Sequence, residues 1–573
     1  MQNDSKGSLL LWVVVAIIGG LAMAAPFFTA YKLKPGEGRE FLPPYTHDMA
    51  QHLAVMEQFD NVLKSGTLYP RWLPDFNRGY GSPWTNFYPV GFYYLTSGVN
   101  LLAKDWYLTL FIVSGLGLAL SGITFYAAAQ EFYGKWPSLI GALLYMITPY
   151  HLVDLYWRGA MPEFMAFIFI PPIFYFGSRL AGAARPKYIA GFALSYAALM
   201  IVHLPVSFLL AYGLVLYAIL RAVFYKDPRI LPRIAGGMIL AFALSAIYLV
   251  PAVVESKDIF QPWSAIFPYS ASYLNLFKPY DQFGAVVNLS FLACLLMLAA
   301  SVLIVRAVPE RGDDTRPDGG RDQFGRSVRL ETLTTLIMAA VTLFMCLPVS
   351  AFVARLMPKM DVASFAWRWL AIASFFGCLG MAAAIARLVP ELPSRRALIW
   401  GMTAVAAVVV AANAGFTGQS AMKKALVHPP LTVPDNYIDD GFTPKNSMLP
   451  ERLPMHAQEA ELVPASGSVQ VDDWSPSHRH LTVSNSIPSD LRIRSYVFPG
   501  WTAEVDGAPT PILKNEMGAQ TIQLMPGKHV VEVDFENTPI RSQATAISCL
   551  SLLVVAGLLL FSRFRRRGAG LAR

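Results

Sequence analysis

A carboxylate between two histidines is the first group in this chain that could do chemistry. Asp48 lies between His47 and His52, in a polar segment that follows the first apolar stretch. Most of the chain is apolar, so this segment lies near a membrane surface, where a carboxylate is costly if it enters lipid. Asp48 can act there as a general base on a hydroxyl group. It can also be only a helix N-cap, or share a helical face with His52 as metal ligands do.

A second charged cluster lies between two later apolar stretches. The segment from Asp154 to Glu163 holds two acids and Arg158, at a depth where lone charges are expensive. An Asp–Arg or Arg–Glu pair that only stabilises a loop explains this composition equally well. In the functional interpretation, Arg158 binds a phosphate and Glu163 or Asp154 acts as an orienting acid.

Two further residues could contribute to the same site. Arg368 lies between Trp367 and Trp369, and its forked guanidinium suits a phosphate. Tryptophans on both sides also fit an ordinary interfacial belt. His203 precedes a proline at the junction of two apolar stretches, where it faces outward or caps a helix.

The composition indicates what must position these residues. The chain has 573 residues, of which 54% are hydrophobic and 15% charged, with a mean hydropathy of +0.42. Such values lie outside the range of soluble domains, and apolar windows of about 20 residues recur along most of the chain. The sequence therefore predicts an α-helical polytopic membrane protein with about 12 spans. They lie near 8–28, 106–129, 136–153, 161–180, 188–203, 205–224, 231–252, 287–306, 331–350, 365–386, 397–416 and 541–563.

The distribution of charge predicts the orientation. Lysine and arginine concentrate in alternate loops, which the positive-inside rule assigns to the cytoplasm together with both termini. The first apolar run resembles a signal peptide but continues to Phe28, so an uncleaved first helix is expected. The net charge of +8 therefore reflects topology and contact with anionic lipid, not a nucleic-acid partner. The outward segments are then 29–105, 154–160, 253–286 and 417–540.

The outward parts are expected to be structured. An apolar stripe predicts a helix over 47–65, followed by a turn-rich segment and an aromatic series suited to the lipid–water interface. From about residue 478, alternating residues predict a small β-sandwich, in which Trp501 and Tyr496 are core residues or, alternatively, stacking rings for a glycan. We divide the chain into a transmembrane module (1–416), an outward domain (417–540) and a last helix with a basic tail (541–573). The aromatic series is Trp84, Phe87, Tyr88, Phe92, Tyr93 and Tyr94.

Several of these motifs together resemble a known family. The first outward segment contains His-Asp and then Leu-Tyr-Pro-Arg-Trp (68–72), Gly-Tyr-Gly-Ser-Pro (79–83) and Phe-Tyr-Pro (87–89). With Arg158-Gly159-Ala160 and Trp367-Arg368-Trp369, they are similar to bacterial 6-pyruvoyl-tetrahydropterin synthase-related membrane proteins. The segment from Phe498 to His529 resembles the tail of YfhO-like membrane proteins. Both groups look like members of the GT-C glycosyltransferase superfamily.

The resemblance implies a glycosyltransferase in the bacterial cytoplasmic membrane. It would transfer a sugar from a polyprenyl-phosphate-linked donor to an extracytoplasmic glycan or lipid acceptor, with inversion. Asp48 matches the family's base, and Arg158 and Arg368 match its phosphate-binding residues. The double-acid pattern of metal-dependent members is missing, so no metal ligand is assigned and a divalent cation stays open. The remaining substrate-binding candidates are His47, His52, Glu163 and His203.

Two other functional classes use the same features differently. A flippase for lipid-linked glycans would use the basic and aromatic residues without chemistry at Asp48. Few charged residues near the middle of the spans, and no clear inverted halves, disfavour it. A non-catalytic assembly factor for envelope polymers would depend on residues 478–540 and not on Asp48.

Overall fold

The chain folds into a helical bundle with a β-sandwich near its C-terminal end, as seen in a computed structural model. The structure describes residues 46–260, 268–279, 281–308, 320–388, 441–454 and 457–571, and a few residues before position 42. The helices, in chain order, are α1 Met49–Lys64, α2 Trp84–Phe87, α3 Gly91–Ala103, α4 Trp106–Tyr133, α5 Lys135–Met146, α6 Pro149–Val153, α7 Met161–Ala166, α8 Ile170–Gly182, α9 Pro186–Val202, α10 Leu204–Tyr225, α11 Ile230–Leu244, α12 Ala246–Val254, α13 Gln282–Ala307, α14 Gly320–Phe344, α15 Ala351–Ala354, α16 Trp369–Leu388 and α17 Pro539–Leu571.

Seven stretches of the described chain are long and apolar enough to cross a membrane. Two bent pairs raise the number to nine if each pair is one span, and α9 is a shorter apolar helix. Ten of the predicted spans coincide with these helices. The prediction at 397–416 lies outside the described residues, as does most of the one at 8–28, so the count of twelve remains a prediction. The seven stretches are Trp106–Tyr133, Lys135–Arg158, Met161–Gly182, Leu204–Tyr225, Gln282–Ala307, Ala366–Leu388 and Pro539–Arg563.

Both bends follow from breaks in the helical backbone. Helices α11 and α12 meet at an angle of 76° around Ser245, and α14 turns by 99° into the short segment Pro348–Ala354. A break in an apolar bundle frees backbone N–H and C=O groups, which neighbouring side chains must then satisfy. Ser548 of α17 does so at the first break, because its hydroxyl accepts from Ile247 N at 2.8 Å and donates to Ala243 O at 3.3 Å.

Many side chains of the segment from α1 to α3 are buried in the protein core. Helix α1 confirms the prediction over 47–65. The expectation of an interfacial aromatic belt was wrong, because four of its six residues are buried between α1, α3 and the β-sandwich. Tyr88 and Tyr94 are half-buried. A membrane belt and a protein core select the same aromatic residue types, so composition alone could not distinguish them. The four buried residues are Trp84, Phe87, Phe92 and Tyr93.

Two antiparallel sheets form the β-rich part, as predicted. Their strand orders are β3-β6-β10-β9 and β4-β5-β11-β7-β8, and their inner faces share one apolar core. Strands β3 and β4 lie before residue 478, where the alternating pattern first became visible. Trp501 and Tyr496 are buried in this core. The strands are β1 Ala30–Lys32, β2 Arg39–Phe41, β3 Ala460–Val463, β4 Gly467–Trp474, β5 His478–Asn485, β6 Ser489–Tyr496, β7 Trp501–Val505, β8 Ala508–Pro509, β9 Leu513–Lys514, β10 Ala519–Leu524 and β11 Gly527–Phe535.

The β-sandwich is joined to the helical part through its own core. Trp72, Tyr80 and Phe87 of the first segment belong to the same apolar cluster as the sandwich interior. Trp72 lies 5.7 Å from the ring of Trp501, and Tyr80 O accepts a hydrogen bond from Tyr496 N at 2.8 Å. The turn-rich motif between residues 68 and 83 therefore docks the sandwich onto the helices.

Candidate active site

Asp48 occupies the N-cap position of α1, but its side chain makes no capping hydrogen bond. Its backbone N–H donates to the carbonyl of Arg158 at 2.8 Å, and its side chain is half-buried. An aspartate at an N-cap ordinarily accepts a hydrogen bond from the first turn. The backbone of Asp48 is therefore held against residue 158, and its carboxylate does not act as the cap of the helix.

Gly159 allows the start of α1 to approach the backbone of residues 158 and 159 closely. Its φ of +64° is a left-handed conformation that glycine adopts without strain. A Cβ at this position would collide with the side chain of Thr46 and would lie 3.2 Å from Cβ of Met49. The start of α1 can thus touch the backbone at 158–159 only because residue 159 lacks a side chain.

The segment predicted as the short loop 154–160 is instead helical. After α6 the chain continues through one π-helical turn, Asp154–Arg158, and then enters α7. Every residue from 154 to 166 is buried. A π turn widens the helix by one residue and leaves no signature in hydropathy. This turn brings Arg158 beside both of the acids that neighbour it in sequence.

Glu163 is the centre of the buried charges. Its Oε2 accepts from Nη1 of Arg158 at 2.7 Å and from Nε of Arg368 at 2.9 Å, while Oε1 accepts from the Tyr150 hydroxyl at 2.6 Å. Nη1 of Arg158 also donates to Oδ1 of Asp154 at 2.8 Å. Two arginines and two acids thus form one network, in which each charge is compensated. The pairing that stabilises the segment is real, and it also fixes the two arginines relative to each other.

His203 and Arg368 complete the network from other elements. Nδ1 of His203 accepts from Val206 N at 3.3 Å, so this residue caps α10, and its Nε2 lies 3.8 Å from Oε2 of Glu163. Nη1 of Arg368 donates to Ala363 O at 2.7 Å, and its guanidinium lies 4.9 Å above the ring of Phe365. The sequence alternatives for His203, a cap or a site residue, are therefore compatible.

His52 lies near this network, among aromatic rings. Its Nδ1 is 3.0 Å from the Tyr93 hydroxyl, and the rings of Tyr88 and Phe92 lie about it. Burial lowers the pKa of His52 to about 4, so the imidazole is neutral at pH 7. Within the described residues, no three His, Cys, Asp or Glu side chains come together as metal ligands.

The sequence analysis assigned neither Tyr150 nor Tyr88 to the candidate site. Tyr150 lies four residues before Asp154, so helical spacing was the available signal for it. Burial raises the pKa of the Tyr88 hydroxyl, and the negative charge of Asp48 raises it further. Tyr88 belongs to the Phe-Tyr-Pro motif and lies near Asp48 and the arginines. His47 is exposed, with its ring 5.2 Å from that of Phe283 at the start of α13.

Residues 85–418 match the family described as the 6-pyruvoyl-tetrahydropterin synthase related domain, a membrane protein. This match covers more than half of the chain. The chain belongs to this family. The membership expected from the motifs is thereby confirmed, as is the assignment to membrane proteins. No curated protein matches the chain significantly.

Two solved structures are similar to parts of this family member. Arabinofuranosyltransferase AftD from Mycobacteria has 17% sequence identity and a TM-score of 0.43, over 73% of this chain. The chain spans only 27% of AftD. ArnT from Cupriavidus metallidurans, bound to undecaprenyl phosphate, has 10% identity and a TM-score of 0.31, with 66% of this chain and 78% of ArnT covered. With both TM-scores below 0.5, neither similarity decides the function.

The family match divides the candidate site. Arg158, Glu163, His203 and Arg368 all lie inside residues 85–418, whereas Asp48 and the β-sandwich lie outside. The contact between Asp48 N and Arg158 O therefore joins the matched part of this family member to a residue that precedes it.

Proposed function

We propose that this membrane protein is a glycosyltransferase. It transfers a sugar from a polyprenyl-phosphate-linked donor to an extracytoplasmic glycan or lipid acceptor, and it inverts the anomeric carbon. The positive-inside distribution supports an outward-facing site in the cytoplasmic membrane, with both termini in the cytoplasm.

One observation carries the proposal: a carboxylate that does not cap its own helix belongs to a residue whose backbone is bonded to one of two buried, paired arginines. The side chain of Asp48 does not cap α1, and its backbone is bonded to Arg158, which shares Glu163 with Arg368. A base and a phosphate-binding pair must keep a constant separation during a displacement reaction. The hydrogen bond between residues 48 and 158 provides such a constraint.

The mechanism is a single displacement. Asp48 accepts the proton of an acceptor hydroxyl, and the hydroxyl oxygen forms a bond to the anomeric carbon. The bond between that carbon and the phosphate oxygen breaks on the opposite face, and its electron pair stays on the departing lipid phosphate. Arg158 and Arg368 stabilise this charge, a type of interaction that lowers many reaction barriers substantially. Tyr88, protonated and close to Asp48, orients the hydroxyl.

Glu163 keeps both arginines in place before the phosphate arrives. Its described hydrogen bonds involve Nη1 of Arg158 and Nε of Arg368, and neither uses Nη2. The Nη2 groups are therefore the donors that the proposal assigns to phosphate oxygens. An arginine held by a carboxylate loses little further conformational entropy when it binds a ligand.

The test compares two aspartates that occupy N-cap positions. Asp48→Asn removes the base, while Asp105→Asn changes an N-cap of α4 whose side chain does accept from Leu108 N at 2.6 Å. The full-length variants are purified and reconstituted in liposomes. They are then supplied with a panel of polyprenyl-phosphate sugars and an envelope glycan extract. Release of polyprenyl phosphate is measured, together with binding of each donor. We expect Asp48→Asn to bind a donor but lose at least about 100-fold in turnover, and Asp105→Asn to retain turnover.

Other results assign the protein differently. Equal turnover by wild type and Asp48→Asn means that Asp48 is not the base. If no donor is consumed but labelled lipid-linked glycan crosses the bilayer, the protein is a transporter. If neither occurs and envelope assembly depends only on residues 478–540, the protein is an assembly factor.

A further inference from the structure

A row of four rings connects the two halves of the candidate site. The His47 ring lies 5.2 Å from Phe283, and Phe283 lies 5.7 Å from Trp367. Trp367 stacks on Phe365 at 4.4 Å with an angle of 10° between the planes. We call these four residues the aromatic wall. It begins beside Asp48 in sequence and ends where the guanidinium of Arg368 covers Phe365.

The aromatic wall differs from the aromatic core nearby. His47 is exposed, and Phe283, Phe365 and Trp367 are each half-buried. By contrast, the adjacent Trp369 is buried. The wall is assembled from three separate elements, namely the entry to α1, the start of α13 and the turn before α16. Its rings therefore keep part of their surface accessible although they pack on one another.

We infer that the aromatic wall binds the glycosyl ring of the lipid-linked donor. This inference rests on the proposed function, because the reaction fixes where the sugar must lie. The anomeric carbon is bonded to the phosphate and is attacked by the hydroxyl that Asp48 holds. The sugar ring therefore lies between Asp48 and Arg368, and the wall runs from the residue before Asp48 to the ring that Arg368 covers.

The chemistry of the wall fits a sugar ring better than other occupants. One face of a pyranose or furanose presents C–H groups, which pack against the electron-rich face of an aromatic ring. The hydroxyl groups at the ring edge remain free to contact polar side chains or water. An isoprenoid chain would need a longer apolar groove than four rings provide. Trp367, with the largest face, is expected to contribute most.

The test separates the sugar from its lipid phosphate. Affinities of full-length protein in liposomes are measured for bare polyprenyl phosphate and for a panel of polyprenyl-phosphate hexoses and pentoses. Wild type should bind at least one sugar-linked lipid more tightly than the bare lipid. Trp367→Leu and Phe283→Leu should each reduce the ratio of the affinities for sugar-linked and bare lipid about tenfold. The affinity for bare polyprenyl phosphate should change less than about twofold. Trp367→Phe should restore most of the preference.

A matched control is available at the other end of the bundle. Trp136 at the start of α5 is 46% exposed and lies outside the wall, so Trp136→Leu should leave both affinities unchanged. The inference is overturned if Trp367→Leu retains the full preference for sugar, or if it weakens both lipids equally. It is also overturned if wild type never distinguishes sugar-linked from bare lipid. A donor that binds with this preference but is never turned over refutes the transferase and leaves the wall as a sugar site.

Discussion

The oxygen Oε2 of Glu163 decides how the charged residues of the site are arranged. It accepts from two arginines at 2.7 and 2.9 Å, and His203 lies 3.8 Å away. Asp154 shares one of these arginines, but its Oδ2 has no hydrogen-bond partner within the described chain. Removing one partner from a buried ionic network usually costs about 3–5 kcal/mol, since the remaining charge stays buried. Glu163 thus serves stability and arginine placement together.

Gly159 gives a prediction at the same scale. Gly159→Ala adds a Cβ in a left-handed conformation, where it collides with Thr46 at the start of α1. We expect α1 to shift away from Arg158 and turnover to fall by about 100-fold, because small displacements of a reacting group are costly. Turnover of the identified donor and the thermal unfolding temperature are measured for each variant.

Gly66 offers the matched control for this substitution. Its φ is +100°, but no atom lies within 4 Å of the position that an added methyl group would take, so Gly66→Ala carries the backbone strain without the collision. Both variants should lose about 1 kcal/mol of stability from the backbone, and only Gly159→Ala should lose activity. Similar activity in the two variants would show that the contact between α1 and residue 159 does not matter for the reaction.

At the scale of elements, the break between α11 and α12 depends on one hydroxyl from α17. Ser548 accepts from Ile247 N, which follows the break at Ser245, and also donates to Ala243 O, a carbonyl that accepts a backbone N–H of the helix cap as well. We expect Ser548→Ala to destabilise the protein by about 1–3 kcal/mol, since buried backbone groups lose their partner. Unfolding is measured in micelles, and the variants are compared by the midpoint of the unfolding transition.

Ser562 on the same helix is the control for that substitution. Its hydroxyl donates only to Leu558 O at 2.9 Å, a carbonyl of its own helix. Ser562→Ala should change stability by less than about 0.5 kcal/mol. If the two serine variants unfold at the same midpoint, other groups satisfy the break and α17 does not support it.

The elements also show what the sequence could and could not predict. Hydropathy located the spans that lie in the described residues, and alternation located the β-rich part from residue 478 onward, because each pattern reflects the solvent on one face of an element. Side chains that meet across the fold leave no such pattern. Glu163 and Arg368 are 205 residues apart, and nothing in their spacing indicates that they pair. The π turn at 154–158 and the buried aromatic series were missed for the same reason, since both depend on tertiary packing.

At the scale of the whole molecule, Glu255 connects three parts of the chain. Its Oε2 accepts from Nδ2 of Asn86 at 2.7 Å and from Nη2 of Arg541 at 2.9 Å. Arg541 is fully buried at the start of α17 and also donates to Pro499 O of the β-sandwich at 2.8 Å. Asn86 lies two residues before Tyr88, which faces the candidate site. The position of the β-sandwich on the helices is therefore linked by direct contacts to the position of Tyr88.

The last prediction tests this link. Glu255→Gln leaves Arg541 buried without its counter-charge, which should loosen the sandwich from the helices. Hydrogen exchange should then increase together in residues 78–88 and 496–503, and turnover should fall because Tyr88 is no longer fixed. Arg492→Gln, which removes a partly exposed pair with Glu516 inside the sandwich, should change neither quantity. If exchange increases in both segments while turnover stays at the wild-type rate, the sandwich does not position the site, and its role lies in contacts with other molecules.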